Sequence, residues 1–186
     1  EFNKFAIRWS LVKAEQLSGG GSASSLNTYA YSYPFKSNTN SFIAELQSRL
    51  SPAVSNEARV SFVRVRDKRD IKANLPMISI TGVGNGSVNL GTERNSQANY
   101  LNQDIWTFED NLTWLHGSHT FLFGTHNEVY HFKNMFISDK FGSYTFKGYD
   151  AFKSYYDDYM ADKLDPSKAY MDQYRYAQAN VDVTGD

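Results

Sequence analysis

Not one of the 186 residues is a cysteine. That excludes a disulfide scaffold and any zinc site built on thiolates. An excess of one charge is also missing, because 19 Lys and Arg stand against 20 Asp and Glu. So balanced a chain offers no electrostatic footprint for nucleic acid and no polybasic membrane anchor. Long apolar runs are absent as well: none approaches the roughly 18 residues that a membrane-spanning helix needs. A helical membrane protein is therefore excluded, and the first residues show no signal-peptide pattern. Proline is scarce, with four in all.

Large rings, by contrast, are abundant. The chain has 13 Tyr and 13 Phe, yet its mean hydropathy is −0.54. Aromatic-rich but polar on average is what alternation produces, and a transmembrane β-barrel alternates along every strand. "FAIRWSLV" sets Phe5, Ile7, Trp9 and Leu11 against Arg8 and Ser10. "NSFIAELQSRL" sets Phe42, Ala44, Leu46 and Leu50 against Glu45, Gln47 and Arg49, and "EARVSFVRV" puts Ala58, Val60 and Phe62 on one face. Period two over such runs predicts strands with one apolar face. Strands are expected near 4–12, 39–50, 57–66, 104–116 and 119–131. Between and after them lie loops at 13–38, 67–103 and 132–186.

Two smaller elements are expected inside the loops. "MISITGVGNGSVNLG" predicts a hairpin turning at Asn85-Gly86, the dipeptide preferred in type I′ turns. "DAFKSYYDDYMADKL" carries Phe152, Tyr155, Tyr156, Tyr159 and Met160 at helical spacing, which predicts a short amphipathic helix. The connections alternate between long and short, as in outer-membrane barrels. The expected fold is all-β: part of an antiparallel transmembrane β-barrel wall, about five long strands with long extracellular loops.

All four histidines lie in "WLHGSHTFLFGTHNEVYH", which raises the question of a metal site. A two-residue loop at Gly117-Ser118, with Gly first as a type II′ turn prefers, pairs His116 with His119. Trp114 then lies beside Phe121, Leu112 beside Phe123, and Trp106 beside Val129. Trp106 and Trp114 share a face and are separated by about 26 Å along the strand, or about 20 Å of height after tilting, which suits two aromatic girdles. Trp9, Trp106, Trp114, Phe121 and Phe123 are the expected lipid-interface aromatics. Asp110 shares their parity and does not fit; either a bulge turns it away or protein covers it.

On the other face Glu109 becomes the cross-strand neighbour of His126, forming a polar pair toward the lumen. A metal held by His126, Glu128 and Glu109 is the alternative, but His116 and His119 lie at the far end of the hairpin and cannot join it. The hydrogen-bonded pair is the preferred reading, with no metal, no cofactor and no catalytic residue. "GVGNG" resembles a phosphate-cradling loop only loosely, since no helix opens after it for the helix-terminus mechanism, and a surface hairpin is the preferred reading. No Gly-x-Ser-x-Gly elbow is present. In "RVRDKRD", Arg64, Arg66, Lys68 and Arg69 could contact an anionic ligand at the barrel rim, although such a mixed-sign run is more often a solvated edge.

"RVRDKRD", "LGTERNSQANYLNQDIWTFEDNLTW", "GSHTFLFGTHNE" and "NMFISDKFGSYTF" together resemble the TonB-dependent outer-membrane receptors, specifically their Oar-like branch, over residues 38 to 152. The resemblance implies a 22-stranded barrel closed by an N-terminal plug and energised by the inner-membrane TonB complex through a short N-terminal box. Neither plug nor box is found in these residues. The expectation is therefore a piece of barrel wall with its loops, all of 1–186 belonging to one barrel domain of a longer polypeptide in the outer membrane. It would serve active uptake of a ligand. The implied partners are outer-membrane lipid, the rest of its own barrel and plug, and the TonB complex. Two rival readings are a membrane anchor whose loops bind a surface lipoprotein or adhesion partner, and a soluble β-rich ligand-binding domain.

Overall fold

In the computed structural model, residues 2–177 are described. Five long strands form one sheet: β1 (Phe2–Ser18), β3 (Tyr33–Ser51), β4 (Val54–Arg69), β7 (Asn99–His116) and β8 (His119–Phe136), in the order β1-β3-β4-β7-β8. Five short strands form a second sheet: β2 (Ser25–Asn27), β5 (Met77–Val83), β6 (Gly86–Leu90), β9 (Ser143–Lys147) and β10 (Gln173–Arg175). One helix, α1, covers Tyr149–Met160. By their contacts the residues fall into two compact units. The first, the wall unit, comprises Glu1–Ala14, Lys36–Asp67 and Leu101–Asn134; the second, the loop unit, comprises Glu15–Phe35, Lys68–Tyr100 and the chain from Met135.

In the wall, neighbouring strands are antiparallel. Ser10 bonds Ser41, Arg59 bonds Glu109, and Asn56 bonds Asp110 while Arg66 bonds Asp104, so low numbers on one strand meet high numbers on the next. Pro52-Ala53 and Gly117-Ser118 make tight turns, and the connections at the other strand ends are long. Gly117 has φ 61 while Ser118 keeps a negative φ, as a type II′ turn requires. Side-chain parity then separates an apolar face from a polar one. Phe62 meets Trp106 at 4.6 Å between ring centroids, and Trp114 meets Phe121 at 5.3 Å. The apolar residues stand exposed instead of packing under a second layer: Trp9 is 66% and Phe123 56% accessible.

The long strands run to between 16 and 19 residues, well beyond the 4–12, 39–50, 57–66, 104–116 and 119–131 expected from alternation. Crossing a bilayer takes only about 9–11 tilted residues. Most of the extra length lies at the long-connection ends, in "KAEQLS", "YPFKSN", "NYLNQ" and "FKNMF". There both faces carry polar side chains, so the period-two signal fades although the ladder continues. The expected loops 13–38, 67–103 and 132–186 shorten accordingly; the last of them extends past residue 177, beyond the described residues.

The loop unit is folded and not open coil. β5 pairs antiparallel with β6 and parallel with β9, β6 pairs parallel with β2, and β9 pairs antiparallel with β10. The β5–β6 hairpin turns at Gly84-Asn85, one residue before the expected Asn85-Gly86. Gly82, at φ 70, is an extra residue on β5 where the register shifts between Thr81 and Val83, and this bulge moves the turn. Phe146, 1% accessible, centres the core and meets Phe152 and Tyr155 of α1 at 5.3 and 5.5 Å. Those two contacts are one helical turn apart, which is why the spacing of rings in the sequence located this helix. Asp162, in left-handed geometry at φ 56, ends it: Lys163 N–H bonds Asp158 C=O and Asp162 N–H bonds Tyr159 C=O, a Schellman closure. Polar staples complete the unit. The Gln97 amide donates to Gly142 C=O at 3.1 Å, and its oxygen accepts from Phe141 N–H at 2.6 Å.

Two outcomes follow for the loop unit. Gly91, at φ 74, has its missing Cβ against the Pro76 carbonyl, so Gly91→Ala must displace backbone; protease nicking of the loops in the folded full-length protein should accelerate at least tenfold. A second outcome concerns pH. Hydrogen bonds from Tyr170 and Lys168 hold the Asp158 carboxyl below its ordinary value, and Asp158 in turn raises Lys168. A lowered acid stabilises above its unfolded pKa and stops doing so as pH falls through the folded value; a raised base behaves in the opposite sense. Protection of α1 in hydrogen exchange should therefore be greatest between about pH 4 and pH 10 and decline on both sides.

Candidate functional site

The polar face of the wall carries a charged belt that crosses four strands. Arg59, on β4, is its centre. Its Nε and Nη2 donate to Glu45 Oε2 on β3 at 3.2 and 3.0 Å, Nη2 also to Glu57 Oε1 at 3.0 Å, and Nη1 to Glu109 Oε2 on β7 at 3.1 Å. Glu109 Oε1 lies 2.9 Å from His126 Nδ1 on β8, and His126 Nε2 lies 3.3 Å from Glu128 Oε1. Arg8, on β1, shares a shallow pocket of about 410 Å³ with Glu45 and Arg59. The belt thus sets four carboxylates against one guanidinium and one imidazole. Each member comes from an alternate position of its strand, and that parity brings them onto one face.

The two contacts of Glu109, with His126 and with Arg59, differ in origin. Gly117-Ser118 fixes the β7–β8 register, so this contact can be read from a two-residue loop. Arg59 escaped sequence reading. Its contact with Glu109 joins strands separated by residues 70–98, and no turn fixes that register. For Glu45 and Arg59 the available signal was alternation, which sets Glu45 opposite in face to Ala44 and Leu46 and Arg59 opposite in face to Ala58 and Val60.

The remaining residues singled out from sequence are distributed as follows. Trp9, Trp106, Trp114, Phe121 and Phe123 are all exposed, each on one of the long wall strands. His116 and His119 flank the turn and touch Trp114 and Phe121 rings at 5.2 and 6.2 Å. Among the described residues, no three potential ligands converge as a metal site would require. The four rim cations are each occupied within their own unit. Arg66 makes two bonds to Asp104 at 2.7 and 2.9 Å, and Arg64 Nε lies 4.0 Å from the same carboxylate. Lys68 bonds Asp70, while Arg69 meets Glu93 at 3.6 Å and lies over the Tyr33 ring at 5.4 Å.

Chemically, the belt can hold strands in register and present charge to water or to a polar occupant. It has no nucleophile beside a base. In the full-length protein, Arg59→Ala should lower stability against urea in detergent because it strands three carboxylates on one face. Combined with Glu109→Gln, part of that loss should be recovered. With Arg59 40% accessible, the coupling between the two should be about 0.5–1 kcal/mol.

The comparisons with known proteins agree with this architecture. The family described as Outer membrane beta barrel domain matches residues 1–183, nearly the whole chain. No curated protein and no solved structure matches it. A family match of this extent decides against the soluble β-rich domain and places the protein in the outer membrane, its open sheet being a stretch of barrel wall. The chain belongs to the outer membrane β-barrel domain family.

Proposed function

We propose that this chain supplies wall strands and surface loops to a TonB-dependent transporter that takes up a ligand across the outer membrane. The observation that carries this reading is the charged belt. Four carboxylates, an arginine and a histidine on one face suit a lumen filled by water or by a polar plug. A barrel interior packed with its own apolar side chains would leave them unsolvated at a large cost. The loop unit supports the same reading, since an importer needs ordered loops to receive its ligand. In this reading Glu109 and His126 line the lumen, and the exposed aromatics of β1, β7 and β8 face lipid. Arg64, Arg66, Lys68 and Arg69 hold acids of their own units. The chain catalyses no reaction and needs no cofactor.

A second reading, an anchor whose loops bind a surface lipoprotein or adhesion partner, is favoured by one specific feature. Tyr144, Tyr174 and Tyr176 form a stacked row at 4.9 and 5.5 Å, and the last two are more than half accessible. Exposed tyrosines offer large contact area at low entropic cost. Titration calorimetry of the purified full-length protein with the periplasmic domain of TonB separates the two. Saturable one-to-one binding is expected for a transporter. No heat at any ratio would remove the transport reading and leave the anchor.

A further inference from the structure

The apolar face of the wall is broken at one row. On β7, Trp106 and Phe108 stand on one side of Asp110, and Leu112 and Trp114 on the other. Asp110 is exposed among them, with Asn56 Nδ2 of β4 donating to its Oδ1 at 2.7 Å. An ionised carboxylate facing hydrocarbon midway between two rings of tryptophan is costly. Two devices could relieve it: a bulge that turns the side chain inward, or a protein cover.

The structure removes the first. Toward β8, the opposition of Glu109 with His126 recurs unchanged at Trp114 and Phe121. Toward β4, Phe62 with Trp106, Arg59 with Glu109, and the Leu115 N–H on Ala53 C=O keep a single register past Asp110. No residue is inserted on either side. Asp110 stays on the apolar face, and one amide satisfies only part of a carboxylate that can accept about four hydrogen bonds.

The neighbours indicate the cover. That same register sets Thr125 of β8 directly across from Asp110, and Asn127, whose Nδ2 donates to Thr125 Oγ1 at 2.8 Å, follows it. All lie within the wall unit. One short row therefore holds an acceptor, Asp110, together with three donor-bearing side chains, Asn56, Thr125 and Asn127. We propose that this row is the contact between two copies of the barrel within the membrane. A two-fold axis along the membrane normal keeps every residue at its own depth, so the row meets its own counterpart. Each copy's Asp110 then faces hydroxyl and amide donors of the other, and Trp106, Phe108 and Phe123 surround the polar centre with rings. A foreign partner would need its own donors at this depth; a second copy already has them.

The test uses the full-length protein with Thr125→Cys in a cysteine-free background, kept in outer membranes and treated with a short bis-maleimide. A cross-linked pair of identical chains is expected, with heat-dependent gel mobility confirming a folded barrel. Asp110→Leu should weaken the pair about tenfold or more, while Asp110→Asn, which still hydrogen-bonds, should weaken it less. The mass of the unaltered protein in lipid nanodiscs gives an independent reading, and two copies are expected. A single copy there, or a spin label at residue 125 fully open to lipid-dissolved oxygen, would overturn the proposal. So would a cross-link to a different protein.

Discussion

Hydrocarbon leaves a backbone amide or carbonyl nothing to bond, and each one left unpaired costs several kcal/mol. Every other property of the wall follows from that demand. Extended strands can meet it only through their neighbours, so they are long, antiparallel and joined in simple succession, β1-β3-β4-β7-β8. Once the backbone is committed to ladders, side chains have no choice but to alternate between two environments. The parity that puts Trp106 and Trp114 on one face forces Glu109 onto the other. The same demand bears on the sheet's edges. Five antiparallel strands leave β1 and β8 running in the same direction, so the two edges cannot pair antiparallel with each other. Between them an odd number of further strands is needed, which restores the even count usual in bacterial barrels.

How much of this could be read from residues alone depended on how each contact is specified. Where a two-residue turn fixes register, as at Gly117-Ser118, alternation and turn chemistry suffice, and the spacing of Glu109 and His126 can be worked out on paper. Arg59 could not be found this way because the β4–β7 register is fixed only by the folded sheet. Strand ends were underestimated for a related reason. "KAEQLS" and "NYLNQ" continue the ladder but lie where both faces are polar, and alternation is a signal of partition between two solvents. The loop sheet was hidden almost entirely. Its strands run three to seven residues, and the β5–β9 and β2–β6 pairings are parallel and join segments about sixty residues apart. Only its two local elements could be read: the hairpin, displaced by the Gly82 bulge, and α1, given by the ring spacing around Tyr155.

The two units are also stabilised by different means. The wall has no interior of its own; none of its described apolar residues is fully buried, and its ordering rests on ladders, ring contacts and the belt around Arg59. The loop unit is built like a small soluble domain around Phe146, with the buried side chains of Thr92 and Gln97 stapling its connections to the Ala73, Thr92 and Gly142 carbonyls. Such staples bond side chain to backbone, so they tolerate a small apolar core. A loop with its own core keeps its shape without help from a ligand. Ordering of this kind lowers the entropic cost of any contact the unit makes.

The belt and the Asp110 row apply one rule on opposite faces. On the face proposed to line the lumen, charge is cheap because water can solvate it, and carboxylates can outnumber their cationic partners around Arg59 and His126. Toward lipid, a single carboxylate must be answered in full, and Asn56 alone does not suffice. The wall carries charge freely on one side and needs a specific partner for it on the other. An outward Asp in an otherwise apolar band is therefore more informative about association than any number of inward glutamates.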